Sequence, residues 1–99
     1  MVVTRTDKGD ETILTLNGAL DAGTTPQFKE VADKVKAEGR KEVVIEASSL
    51  RLIDSTGVGA IVALFKGVRA YGGKMTFRGV RDQPRAIFRL LRLDKVFNI

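Results

Sequence analysis

Segments with the two-residue period of β-strands alternate along this chain with segments that have the 3.6-residue period of helices. Residues 2–6 and 11–17 are rich in β-branched side chains and flank the polar, glycine-containing stretch 7–10, which predicts a β-hairpin. Leu14 and Leu16 lie two residues apart. We therefore expect both to face the core from the second strand.

The first predicted helix follows a proline-containing segment. Its apolar residues recur at i, i+3, i+4 and i+7, at Phe28, Val31, Ala32 and Val35. Thr24 is predicted to cap the helix, with Pro26 in the first turn and Gln27 completing a capping box. We expect the helix to end near Gly39.

Two further helices are predicted in the second half of the chain. One covers residues 57–71 and ends at Gly72-Gly73; its buried stripe consists of Val58, Ile61, Phe65 and Val68. The other begins around residues 82–84 and runs to about Arg92. Its predicted inward residues are Ile87, Leu90 and Leu91.

Three apolar segments between and after these helices are predicted strands. Residues 43–45 have the composition of a central strand, followed by a loop to Asp54; residues 74–78 alternate, and 95–99 form a last edge strand. The order ββαβαβα, with that optional last strand, predicts a single α/β domain over residues 1–99. Its four- to five-stranded mixed sheet would carry about three helices, with parallel strands where helices connect them and an antiparallel opening hairpin.

The amino-acid composition excludes several classes of catalytic and metal-binding site. The 99 residues include neither cysteine nor histidine, which removes Ser-His-Asp and Cys-His nucleophiles, zinc-thiolate sites and most transition-metal sites. We expect no enzyme activity, cofactor or metal. The amino terminus does not have the pattern of a signal peptide, and no apolar stretch reaches about 18 residues. We therefore expect a cytoplasmic protein without membrane insertion.

Positive charge is concentrated in the second half. The net charge is +5, and residues 51–99 contain 10 basic and 3 acidic residues, against 7 and 9 in residues 1–50. Four arginines recur on the third helix: Arg81, Arg85, Arg89 and Arg92. Such a stripe suits a solvated face, an acidic protein partner or a nucleic acid. Only Phe88 is an aromatic neighbour, so direct nucleic-acid binding is not expected.

The sequence Ile-Asp-Ser-Thr-Gly-Val-Gly at residues 53–59 precedes and begins the second helix. Together with Gly18-Ala19-Leu20-Asp21 and the Gly72-Gly73 turn, it resembles the STAS domain family of anti-sigma factor antagonists. The resemblance covers essentially the whole chain. It implies that Ser55 is phosphorylated by a partner that is both an anti-sigma factor and a serine kinase, and that a phosphatase reverses this.

The residues around Ser55 also suit a switch on physical grounds. Unpaired amide groups at a helix start accept an anion, and small residues let a partner's backbone come close. A phosphoserine adds roughly 1.5 to 2 negative charges. The predicted partner-binding residues are Asp21, Asp54, Ser55, Thr56, Gly57 and Gly59.

Several interpretations remain open at this stage. Ser55 could be a helix cap, a role compatible with phosphorylation. The domain could instead be a non-phosphorylated STAS subunit of a lipid transporter or signalling scaffold, or a small nucleic-acid-binding protein. We expect a monomer or weak dimer.

Overall fold

The computed structural model describes residues 2–99, and its four strands form one mixed sheet in the order β1-β2-β3-β4. The strands are β1 (Val3–Lys8), β2 (Glu11–Leu20), β3 (Glu42–Ile53) and β4 (Lys74–Arg78). β1 and β2 are antiparallel, while β2–β3 and β3–β4 are parallel. The predicted hairpin and mixed sheet are confirmed.

The first three helices alternate with the strands as the period of apolar residues predicts, and a fourth helix follows the third directly. They are α1 (Thr25–Ala37), α2 (Ser55–Ala70), α3 (Asp82–Leu90) and α4 (Leu93–Val96). The predicted α/β fold is confirmed. No helix within residues 2–99 is both long and apolar enough to cross a membrane.

The strand register explains how one face of the sheet becomes core. Leu14 of β2 lies beside Ile45 of β3, which lies beside Phe77 of β4. The preceding residue on each strand points to the opposite face, because side chains alternate along a strand. Leu14, Leu16 and Ile45 are fully buried, which confirms the predicted inward face of β2.

The start of α1 differs from the predicted capping box. Thr24 occupies the N-cap position and Pro26 the first turn, as predicted, but the Thr24 hydroxyl donates to the Ala19 carbonyl oxygen (2.7 Å) and makes no capping bond with a helix amide. The Gln27 side chain accepts from the Val2 amide (3.2 Å) instead of returning to residue 24. The capping box prediction is wrong because both side chains satisfy backbone groups of neighbouring strand segments.

β3 is much longer than its apolar stretch, so the predicted loop before Asp54 is wrong. The strand reaches Ile53 although Ser48, Ser49 and Arg51 are polar, and its register with β2 is irregular in this half. Ala47, Leu50 and Ile53 are buried and hold this half of the strand against the core.

β4 pairs with β3 only as far as Glu46, which leaves the second half of that edge of β3 without a strand neighbour. Side chains from the start of α3 cover it. Arg81 donates to the Ser48 carbonyl oxygen (2.8 Å). The Gln83 amide accepts from the Ile53 amide (2.9 Å) and donates to the Ile53 carbonyl oxygen (3.0 Å). These bonds satisfy backbone groups that would otherwise be unpaired and fix α3 beside the end of β3.

The orientation of α3 differs from its predicted inward face. Pro84 and Phe88 are buried, whereas Leu90 and Leu91 are 77% and 51% exposed. The helix ends at Leu90, and Arg92 has a left-handed backbone, so helical spacing no longer applies at the last leucine. The prediction for Leu90 and Leu91 is wrong because Gln83 and the buried phenylalanine set the rotation of the helix.

The predicted edge strand at residues 95–99 is also wrong. α4 occupies the start of this segment, and Phe97 is buried with its ring stacked on Phe77 at a centroid distance of 4.4 Å. Phe65 and Phe88 contact the Phe97 ring edge-on, at centroid distances of 5.1 and 5.4 Å. Aromatic packing therefore fixes this end of the chain, without backbone pairing to the sheet.

A charged cluster joins β1 to the end of α1. Arg5 donates to both carboxylate oxygens of Glu38 (2.9 and 2.6 Å) and to both of Asp7 (3.1 Å each). Hydrogen bonds from Arg5 hold the pKa values of both carboxyl groups below their ordinary range. The Thr12 hydroxyl donates a third hydrogen bond to the Asp7 carboxylate (3.0 Å).

We expect this cluster to make the stability of the fold acid-sensitive. Both folded pKa values are depressed, so the stabilisation is present above the ordinary carboxyl range and is lost as pH falls from about 5 through the folded pKa values. We therefore expect the unfolding free energy of Arg5→Gln to fall less steeply than that of the parent as the pH is lowered. Urea unfolding at several pH values between about 7 and about 3 measures this. Lys29→Gln, which changes the same charge on an exposed residue of α1, is the control. Equal slopes for both variants and the parent would contradict the expectation.

Candidate functional site

Asp54 organises the junction between β3 and α2. It is the N-cap of α2: one carboxylate oxygen accepts from the Gly57 amide (2.9 Å), and the other accepts from the Ala22 amide (3.2 Å). Its own amide donates to the Leu20 carbonyl oxygen (3.2 Å). Asp54 thus ties the helix start to the loop after β2, and the cap is Asp54 and not Ser55.

Asp21 belongs to the same loop and is half-buried. Its carboxylate accepts from the amides of Gly23 (3.0 Å) and Thr24 (3.2 Å), and its carbonyl oxygen accepts from the Thr25 amide (2.8 Å). These bonds shape the loop that Asp54 holds against α2. A contact between Asp21 and a partner remains a prediction.

Ser55, Thr56 and Gly59 form the exposed surface at the start of α2, which we call the helix-start surface. Ser55 is the first residue of the helix, and its hydroxyl makes no side-chain hydrogen bond with residues 2–99. The first amides of a helix lack intrahelical partners. Because Asp54 takes the amide of Gly57, those of Ser55 and Thr56 remain available to an anion at this surface.

Gly57 does not belong to that surface. It is buried, and a Cβ atom there would lie 2.9 Å from Leu20 Cγ, 3.0 Å from Ile53 Cγ1 and closer still to the Leu20 carbonyl oxygen. The backbone that lies close to Gly57 is thus that of the chain's own β2, where the sequence predicted the backbone of a partner. A Cβ at Gly59 would meet open space, so this glycine stays in the predicted surface.

An apolar groove of about 210 Å³ adjoins the helix-start surface. Its lining residues are Ile53, Asp54, Ser55, Val58, Ile87, Leu90 and Leu91. The sequence prediction missed this groove because it placed the two leucines in the core. The spacing of Pro84 and Phe88, which are four residues apart, could have revealed the groove, because it predicts a different buried face of α3.

Two other features bear on what the site could hold. Within residues 2–99, no group of three or more acidic side chains comes together to hold a metal ion. The predicted arginine stripe is only partly free, because Arg81 donates to the Ser48 carbonyl oxygen (2.8 Å), whereas Arg85 and Arg89 are exposed on α3.

The whole chain matches a known family model. Residues 1–99 match the model of the STAS domain. The chain belongs to the STAS domain family. It is similar to the anti-sigma-B factor antagonist of Staphylococcus aureus, with 24% identity over 84 residues, covering 85% of this chain and 78% of the relative. It is similar also to the anti-sigma-B factor antagonist of Listeria monocytogenes, with 27% identity over 82 residues, covering 83% and 72%.

Solved structures show the same fold. An anti-sigma factor antagonist from Mycobacterium paratuberculosis has a TM-score of 0.82 at 22% identity, covering 96% of this chain and 80% of its own. The anti-sigma factor antagonist SpoIIAA in its unphosphorylated form has a TM-score of 0.75 at 17% identity, covering 98% and 99%. The phosphorylated form of SpoIIAA from Bacillus has a TM-score of 0.78 at 18% identity, covering 94% and 86%.

In this STAS domain, the carboxylate next to Ser55 in the chain is that of Asp54, the N-cap of α2. The adjacent Asp54 carboxylate is engaged by two backbone amides, and the chain contains no histidine or cysteine. A serine nucleophile needs a base within hydrogen-bond reach. The arrangement leaves the Ser55 hydroxyl exposed at the start of α2.

Proposed function

We propose that this protein is an anti-sigma factor antagonist that acts by binding and is switched by phosphorylation of Ser55. The unmodified domain binds an anti-sigma factor and so releases the sigma factor. The same partner, acting as a serine kinase, modifies Ser55 and ends the interaction, and a phosphatase restores the unmodified state. The relatives named as anti-sigma-B factor antagonists and the two forms of SpoIIAA support this assignment.

The observation that carries the proposal is the position of Ser55. Its hydroxyl is exposed as the first residue of a 16-residue helix whose cap is supplied by the neighbouring Asp54. A kinase can therefore reach Ser55 without disturbing the cap. The γ-phosphoryl group of ATP passes to the serine Oγ, ADP leaves, and a base of the kinase accepts the hydroxyl proton.

The start of α2 can accommodate a phosphate group on Ser55. A phosphate at the first helical residue lies near the positive end of the helix dipole and the unpaired amides of the first turn. The partner has no such compensation, because its surface must complement a neutral hydroxyl beside Asp54. Added bulk and negative charge therefore weaken the complex while the domain stays folded.

Affinity capture from a lysate of the source organism, with and without ATP, tests the proposal. We expect the tagged protein to retain an anti-sigma factor with serine kinase activity when ATP is absent, and mass spectrometry to find phosphate on Ser55 when ATP is added. Ser55→Ala should retain the partner and take no phosphate, while Thr56→Ala should still be phosphorylated. Phosphate on Thr56, or a captured partner that is not an anti-sigma factor, would contradict the proposal.

A further inference from the structure

β4 is an edge strand of the sheet and has a strand neighbour, β3, on one side only. The Lys74 amide donates to the Lys41 carbonyl oxygen (2.7 Å), so the backbone groups of Lys74 point toward β3. Backbone groups of successive residues in a strand point to opposite sides, and those of Met75 and Phe77 therefore point away from β3. Within residues 2–99 they have no backbone hydrogen-bond partner. β4 thus offers free N–H and C=O groups to a further strand.

A cleft of about 480 Å³ lies along this open edge. Its lining includes the consecutive residues 73–77. Because successive side chains of a strand point to opposite faces of the sheet, these residues share the backbone edge and not a face. The other lining residues come from α2 and from residues 96–98, where Val96 is 53% exposed. The cleft therefore leaves the edge of β4 accessible beside an apolar side chain.

Both charged side chains that line the cleft are basic. Lys74 and Arg69 are exposed, and neither forms an ion pair within residues 2–99. Glu42 lies opposite Lys74 on β3, on the side away from the cleft, and does not line it. The Arg69 guanidinium carbon lies 5.4 Å from the Phe65 ring centroid, on the face that α2 covers. Lys74 lies on the other face, since Met75, the next residue, is buried in the core.

We propose that the open edge of β4 binds an extended acidic segment of a partner protein, which adds to the sheet as a fifth strand. Met75 and Phe77 supply main-chain hydrogen bonds, and Lys74 and Arg69 attract carboxylates on the two faces. A second copy of this chain fits less well. Pairing of two β4 strands would bring Lys74 opposite Lys74 or Arg78 of the other copy, and like charges directly opposite each other destabilise a strand pair.

This edge is separate from the helix-start surface. Ser55 and Arg69 lie near opposite ends of the 16-residue helix α2, so about 20 Å separates them along the helix axis. A segment bound at β4 therefore leaves the surface around Ser55 free. The domain thereby has a second docking site, beyond the function proposed above, and its occupancy does not depend on phosphorylation of Ser55.

A synthetic peptide, acetyl-Glu-Glu-Val-Thr-Val-Glu-Glu-amide, is the probe. Its β-branched centre favours an extended strand, and each pair of adjacent glutamates presents one carboxylate to each face. We expect a saturating amount of peptide to slow hydrogen exchange of the Met75 and Phe77 amides in the full chain about tenfold or more, measured by NMR. The Thr76 amide, which points toward β3, is the internal control and should change little.

Two altered peptides separate strand addition from attraction between charges. A peptide N-methylated at its three central residues keeps all four carboxylates but lacks the N–H groups that a strand ladder needs. A peptide with lysine in place of every glutamate keeps the backbone and reverses the charge. We expect each to bind about tenfold more weakly or worse than the acidic peptide.

Variants of the protein test the two basic side chains. Arg69→Gln combined with Lys74→Gln should weaken binding of the acidic peptide about tenfold at low salt and reduce its salt dependence. Lys8→Gln combined with Lys29→Gln is the matched control, because it makes the same change in net charge at exposed residues of β1 and α1. This control should bind the peptide nearly as the parent does.

The outcomes distinguish this proposal from other occupants and from the proposed function. Unchanged exchange of the Met75 and Phe77 amides in a large excess of the acidic peptide would overturn the docking site. Equal binding of the N-methylated peptide would rule out strand addition, and equal binding of the lysine peptide would rule out an acidic segment. Slow exchange of both amides without peptide, increasing with protein concentration, would assign the edge to a second copy. Each of these results leaves the switch at Ser55 standing, because Ser55→Asp is expected to bind the peptide as the parent does.

Discussion

Ser55→Asp is expected to lose most of its affinity for the anti-sigma factor while it folds at least as stably as the parent protein. The carboxylate at the first residue of α2 is favoured by the helix dipole by about 0.3–1 kcal/mol. In the proposed complex, the same charge would be buried without an opposite charge, which costs about 2–5 kcal/mol and corresponds to a loss of roughly 30-fold to several thousand-fold in affinity. Thermal melting and calorimetric titration with the purified anti-sigma factor measure the two quantities.

Two controls separate charge from shape at this position. Ser55→Asn has nearly the size of the aspartate variant without its charge and should lose much less affinity. Ser55→Ala should bind almost as the parent does, because it removes at most one hydrogen bond of about 1 kcal/mol. Equal affinity for Ser55→Asp and the parent would rule out the switch, and equal losses for the asparagine and aspartate variants would assign the effect to bulk.

Gly57→Ala is expected to destabilise the fold, although alanine is the better helix former. The added methyl group would lie 2.9 Å from Leu20 Cγ and closer to the Leu20 carbonyl oxygen, which accepts the Asp54 amide. Because backbone cannot move aside as a flexible side chain can, we expect a net loss of about 1–3 kcal/mol. For a domain of this size, that lowers the melting temperature by roughly 4–8 °C for each kcal/mol.

Gly59→Ala is the matched control for this change, two residues along the same helix. Its methyl group points into open space, so the higher helix propensity of alanine should stabilise the fold by up to about 1 kcal/mol and raise the melting temperature. Affinity is measured well below the melting temperature. There, Gly57→Ala should bind the anti-sigma factor as the parent does, whereas Gly59→Ala should bind less tightly because Gly59 lies on the helix-start surface. Unchanged melting of Gly57→Ala together with lost binding would return Gly57 to the partner surface.

The sequence by itself determined the hairpin, the order of strands and helices as far as α3, and the position of Ser55 beside the start of α2. These features depend on local signals. Alternating β-branched residues define strands, apolar residues every three or four positions define helices, and Asp54 followed by small residues marks a helix start. The family motif at residues 53–59 added the expectation that this helix start is the functional site.

Tertiary structure decided the length of β3, the rotation of α3 and the helical end of the chain. Residues 46–53 have no continuous apolar pattern, and they become a strand because β2 pairs with them and Gln83 covers their free edge. Residues 95–99 have a strand-like composition, but burial of Phe97 against Phe77 favours a compact turn of helix. Contacts between residues distant in sequence outweigh local preference where that preference is weak.

Tertiary contacts also decide which of the glycines and leucines near Ser55 are buried and which are exposed. Gly57 and Gly59 are equivalent in the sequence motif, yet only the structure shows that one packs on Leu20 and the other faces solvent. Leu90 and Leu91 fit a buried helical face by spacing alone. Their exposure beside Ser55 depends on how Phe88 and Gln83 dock α3, because the phase of a nine-residue helix is fixed by the neighbours against which it packs.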